Sequence, residues 1–119
     1  MCIGETDGGL GFGRLQKWQA PTLLNSWVNY GSTQNAAGYF LDNGGIVHLR
    51  GLVKNGSAIP TTIFTLPTRF LPEKQEIFVV NSYDSFGRCN VNSDGTVVAQ
   101  IGNTAWFCLD GITFRSSGA

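Results

Sequence analysis

The sequence predicts an all-β fold, a small antiparallel β-sandwich or barrel of jelly-roll type, and three observations carry that prediction. Short runs rich in β-branched and aromatic residues recur along the chain. Turn signals built from Gly, Asn, Asp and Pro interrupt them roughly every eight to twelve residues, the spacing of sandwiches and barrels. No stretch carries the 3.6-residue apolar period of an amphipathic helix. The chain of 119 residues is long enough to bury one core and too short for two domains.

Residues 1–16 hold Gly4, Gly8, Gly9, Gly11 and Gly13 among scattered polar residues, and they are expected to form an extended arm or linker. Residues 17–119 form the head. Residues 26–30 alternate as a short strand with Trp27 and Asn29 on one face, and 31–38 is a polar loop. The stretch around which the head is organised is 38–53, in which two apolar-rich runs flank Asp42-Asn43-Gly44-Gly45. Asn-Gly favours a two-residue type I′ turn, because both central residues of that turn need positive φ. This register sets Phe40 opposite Val47 inside and Tyr39 opposite His48 outside, with Arg50 further along the outer face. Asn55-Gly56 turns the chain again. Residues 61–66 read as a strand bounded by Pro60 and Pro67, and 68–74 as a loop in which the prolines cannot donate to a ladder. A strand over 75–83 follows, and Ser85-Phe86-Gly87 turns the chain into 88–92. Ser93-Asp94-Gly95 makes a hairpin into 96–101. Strands over 104–109 and 112–115 complete the fold.

Composition narrows the function. Apolar residues make up 42% and charged residues only 13%, about half the roughly 25% of ordinary globular chains. Some surface is therefore expected to lie against other copies of the chain or against a neutral ligand. Eight basic and eight acidic residues give zero net charge, which argues against nucleic acid as a partner. No run approaches the roughly 20 apolar residues that span a bilayer, so no membrane insertion is expected. The first residues lack the basic start and apolar run of a signal peptide. Cys2, Cys89 and Cys108 make no C-x-x-C pair and are odd in number, so free thiols are expected, with a Cys89–Cys108 cross-strand pair as the alternative.

No catalytic constellation is visible. The chain has one histidine and no nucleophile elbow, zinc-protease motif or phosphate-binding loop. Asp42, Asp84, Asp94 and Asp110 each lie at a turn, where Asp makes local hydrogen bonds. Asn90-Val91-Asn92-Ser93-Asp94-Gly95 imitates the start of a calcium loop, but Ile101 stands where the bidentate Glu belongs, and a hairpin explains it better. The chain is expected to be neither an enzyme nor a cofactor or metal binder. Two candidate ligand surfaces remain. Tyr39, His48 and Arg50 make a polar–aromatic patch on the central hairpin, suited to a neutral or phosphorylated saccharide or to a plain solvated or intersubunit face. Tyr83, Asp84 and Arg88 lie in a segment with two aromatics, an acceptor and a donor and no core periodicity. Of Trp18, Trp27 and Trp106, one at most is expected to stack on a sugar, the others serving the core.

The order of these signals resembles the C-terminal head domains of phage tail-fibre and receptor-binding proteins. The matching pieces are Trp18 and Trp27, then Gly38-Tyr39-Phe40-Leu41-Asp42 and Gly45-Ile46-Val47-His48-Leu49-Arg50-Gly51. They continue with Leu66-Pro67-Thr68-Arg69-Phe70-Leu71-Pro72, Asp94-Gly95-Thr96-Val97 and Leu109-Asp110-Gly111-Ile112-Thr113-Phe114. The resemblance spans residues 17–115. It implies a homotrimeric head at the tip of a fibre, joined to other virion proteins in the tail, assembled in the host cytoplasm and binding host-surface carbohydrate. The shaft of a full fibre is missing from this sequence, so a fragment, a separately encoded tip or a decoration protein are the expected contexts. The rival expectation is a structural virion protein of baseplate, tail or capsid that binds no receptor, and a weaker one is a cellular lectin-like module.

Overall fold

The computed structural model describes residues 17–118; the expected arm and Cys2 lie outside them. The described chain is all-β and antiparallel, as the sequence predicts. Its strands are β1 (Val28–Asn29), β2 (Gly38–Leu41), β3 (Ile46–Arg50), β4 (Leu52–Lys54), β5 (Thr61–Thr65), β6 (Glu76–Ser82), β7 (Ser85–Val91), β8 (Thr96–Ile101), β9 (Phe107–Cys108) and β10 (Thr113–Arg115). They form two three-stranded sheets, β1-β4-β9 and β10-β3-β2, and a four-stranded sheet, β5-β8-β7-β6.

One core joins the three sheets. Tyr39 of β2 stacks on Phe64 of β5 at 6.3 Å and meets Phe70 edge-on at 4.8 Å, while Trp27 and Phe107 pack at 6.1 Å beside β1 and β9. Trp27 is fully buried, and its indole N–H donates to the Thr61 hydroxyl at 2.8 Å, which satisfies the polar edge that burial would otherwise leave unpaired. Trp27 is thus a core plug, while Trp18 and Trp106 keep partial exposure.

The strand alternation of β3 puts Val47 and Leu49 inside. It breaks at Gly51, where φ is +119°, and Leu52 and Val53 are then both buried. A Cβ at Gly51 would fall 2.5 Å from the Cα of Ala37, so the bend that carries the chain from one sheet to the next requires glycine. A register shift between Thr62 and Phe64 in β5 similarly turns both Ile63 and Phe64 inward.

The central hairpin forms where predicted but one residue out of register. Its pairs are Leu41 with Val47, Phe40 with His48, Tyr39 with Leu49 and Gly38 with Arg50. The loop is Asn43-Gly44-Gly45, closed by Gly45 N–H to Asp42 C=O at 3.1 Å and Asp42 N–H to Ile46 C=O at 2.9 Å, and in this loop only Gly45 has positive φ, +86°. A three-residue loop ending in a left-handed glycine therefore replaces the expected type I′ turn. The extra residue exchanges the faces of β2: Tyr39 is buried at 7% exposure and Phe40 takes the outer place.

The next hairpin also differs. Ser85-Phe86-Gly87 is strand, and the reversal is the two-residue turn Tyr83-Asp84, whose φ values of 52° and 62° fit type I′. The segment expected as an irregular loop at 68–74 contains a short 3₁₀ turn, Thr68–Phe70, that drives Phe70 into the core. The hairpin at Ser93-Asp94-Gly95 forms as predicted, with the Asp94 carboxylate accepting from the amide and hydroxyl of Thr96. Cys89 is buried and Cys108 half-buried, and both are free thiols.

Candidate functional site

The six residues singled out from the sequence fall on two different sheets. His48 and Arg50 lie on the outer face of β3; Tyr83 and Asp84 form the β6–β7 turn, and Arg88 lies within β7. The placement of Tyr39 is corrected: with its ring inside, it supports the patch from below through Phe64 and Phe70, and Phe40 stands where Tyr39 was expected.

The outer face of the β2–β3 hairpin is a continuous aromatic–polar ladder. The Arg50 guanidinium lies 4.3 Å above the Trp18 ring. Trp18 meets Phe40 edge-on at 4.6 Å, and Phe40 stacks on the His48 imidazole at 4.5 Å with their planes within 3°. His48 Nε2 then contacts Asp42 Oδ2 at 2.9 Å. Trp18 is brought there by the entry segment. Gln19 N–H donates to Tyr39 C=O at 2.8 Å, and Tyr39 N–H returns a bond to Gln19 C=O at 3.0 Å, so the segment borders β2. Ring contacts and a cation over an indole hold such a surface preorganised. The flanking Arg50, His48 and Asp42 supply donors and acceptors, with Arg50 Nε itself buried and without a hydrogen-bond partner.

Asp42 organises this end of the molecule. Its Oδ1 accepts from the amides of Gly44 at 2.8 Å and Ile46 at 3.0 Å, which pins the loop, while Oδ2 faces His48. The His48 contact and these amide bonds hold its carboxyl below the usual carboxylate range.

Beside the ladder runs a groove of about 420 Å³, bordered by Lys17, Gln19, Phe40, Asp42 and Arg69. It adjoins a second hollow of about 350 Å³ bordered by Arg69, Arg115 and Ser116. Sequence reading missed this groove, because Lys17, Arg69 and Arg115 are far apart along the chain and none belongs to a motif.

At the other place, Tyr83 and Phe86 are exposed and Tyr83 meets Trp106 edge-on at 6.4 Å. A larger open depression of about 540 Å³ is lined by Val79, Val80, Asn81, Asp84, Ser85 and Phe86. Arg88 is held on the sheet face by its Nε donating to Asn90 Oδ1 at 2.8 Å, and Asn90 Nδ2 donates in turn to Gln100 Oε1 at 3.3 Å. Around this polar line Ile77, Val79, Phe86 and Ile101 are exposed, Val79 at 76% and Phe86 at 84%. Their exposure agrees in kind with the low surface charge read from composition. Among the described residues no group of three or more His, Cys, Asp or Glu is placed to hold a metal ion.

No protein-family model matches this sequence, and no curated protein matches it. The fold is similar to the crystal structure of the receptor binding protein (gp15) of Listeria phage PSA, with a TM-score of 0.68 and 17% identity over 85% of this chain. The match covers 65% of that protein's length. At that identity the likeness establishes a shared fold.

Proposed function

We propose that this chain is a receptor-binding head of a phage tail, a homotrimer that attaches to a saccharide on the host cell surface without catalysing a reaction. The observation that carries this reading is the fold likeness to a phage receptor binding protein across most of the chain. The ladder Arg50–Trp18–Phe40–His48–Asp42 supports the saccharide part. Sugar rings pack their C–H faces on flat aromatic surfaces, and their hydroxyls need donors and acceptors fixed at the rim. In this reading Tyr83, Asp84 and Arg88 belong to a different surface. The exposed Ile77, Val79, Phe86 and Ile101 on the four-stranded sheet then lie between copies of the chain, a face with one cation that is already bonded within its own sheet. The same apolar face favours the rival reading of a structural virion component that contacts other tail or capsid proteins and binds no receptor.

The test is adsorption of the isolated labelled protein to a panel of bacterial cells, with free saccharides as competitors. Saturable adsorption that Trp18→Ala together with Arg50→Ala abolishes is the expected result. Adsorption to no strain by a properly assembled protein would replace the receptor reading with the structural one.

A further inference from the structure

Of the basic residues in the described chain, Arg50 lies over Trp18, Lys54 lies 5.0 Å from the centre of the Tyr30 ring, and Arg88 is bonded to Asn90. Among the described residues Lys17, Arg69 and Arg115 have no such partner, and the one ion pair is His48–Asp42. These three unpartnered cations all border the two adjoining hollows beside the hairpin. Lys74, the other unpartnered one, borders neither. The acid at the rim, Asp42, is already engaged by His48 and by two backbone amides. Among the described residues, the unpartnered positive charges thus gather mainly in one concave place.

The walls there are built from three segments laced together. Ser116 N–H donates to Gly45 C=O at 2.9 Å, and Ser117 N–H donates to Leu71 C=O at 2.8 Å. The Ser116 hydroxyl donates to Arg69 C=O at 2.9 Å. The β2–β3 loop, the 3₁₀ turn and the end of β10 are therefore fixed relative to one another, and Arg69 and Arg115 are held on a common rim rather than on independent loops. Guanidinium groups in pairs suit phosphate and carboxylate oxygens, which accept bidentate bonds.

We infer that this groove binds an anionic group, a phosphate or a carboxylate, carried on a saccharide whose neutral part lies along Phe40 and the adjoining ladder. The inference rests on the receptor-binding reading for its saccharide component, and on the groove alone for its charge. The cations span both hollows, since Arg69 borders both and Lys17 and Arg115 border one each.

The experiment is an amide chemical-shift titration of the whole chain with glycerol phosphate and, separately, with glucuronate. Saturable shifts confined to Gln19, Gly45, Arg69 and Ser116 are expected, weakening with added salt. Arg69→Gln with Arg115→Gln should bind about tenfold or more weakly, as removal of charge-assisted bonds requires, whereas Lys74→Gln should bind as the parent does. Tighter binding of the phosphate probe assigns a phosphorylated ligand, and of glucuronate a uronate one. Shifts that do not saturate, or that persist in the double variant, overturn the inference. Adsorption to cells separates the two readings. A double variant that adsorbs as well as its parent overturns the anion groove and leaves receptor recognition standing. Saturation at the groove with no adsorption by either protein keeps the anion site and removes the receptor reading.

Discussion

Asp42 shows how one side chain can set both a turn and a surface. Its two oxygens bind the loop amides and His48 at once, and the depressed carboxyl pKa follows from those contacts. Asp94 is depressed in the same way by Thr96. A carboxyl whose folded pKa lies below its unfolded value contributes stability above about 3.8, and that contribution is lost as pH falls through the folded value. The protein should therefore lose melting temperature as pH falls below about 4, and Asp42→Asn with Asp94→Asn should flatten that fall while still accepting the amide bonds. Melting curves from pH 7 to pH 2.5 measure both. Cysteine chemistry is also set residue by residue. Burial pushes the Cys89 thiol up to about 12, so it should resist alkylation at pH 8 in the folded protein and react on denaturation. Mass spectrometry of labelled peptides reads this directly. The groove cations mark the limit of sequence reading at this scale: nothing in the immediate neighbours of Lys17, Arg69 or Arg115 signals their convergence, which follows from the tertiary bonds of Ser116 and from the Gln19–Tyr39 bridge.

At the scale of elements, strands were legible because their apolar residues alternate, and turns were legible in place more than in kind. The Asn43-Gly44 pair correctly located a hairpin, yet the Asp42 carboxylate and the left-handed Gly45 stabilise a loop one residue longer. That single residue reverses which ring of Tyr39 and Phe40 is buried, so the core and the candidate ligand face were both misassigned at those two positions. The reversal beside Asp84 was expected at Ser85-Phe86-Gly87 and falls at Tyr83-Asp84, because a bulky Tyr at positive φ carries no compositional signal. The loop assignment is testable by two glycine substitutions. Gly45→Val should cost about 2 kcal/mol, since φ of +86° opposes a β-branched residue. Gly44→Val should cost less than about 1 kcal/mol, its Cβ meeting only Asp42 Oδ1 at 3.3 Å. Chemical denaturation of the two variants gives the comparison, and the reverse order would restore the two-residue turn.

For the whole molecule, the scarcity of charge was visible in composition, but where it would appear was not. The structure places it on the outer face of β6, β7 and β8, with β6 at a sheet edge. If copies meet there, Val79→Asp with Phe86→Asp should convert a three-chain particle to single chains in light scattering without changing the far-ultraviolet spectrum, because both side chains are exposed and contribute little to the core. A variant that keeps the parent's mass would exclude that face from the assembly. The all-β class and the order of the hairpins were readable from the chain, while the change of sheet between β3 and β4 depends on the Gly51 bend, which has no distinctive spacing.

Adsorption of the isolated protein to bacterial cells tests the receptor-binding reading most directly. The expected result is saturable attachment to particular strains, blocked by their own surface polysaccharide and lost in Trp18→Ala with Arg50→Ala. A folded protein of parental mass that attaches to none of the strains, or attaches equally when the ladder is removed, would contradict it.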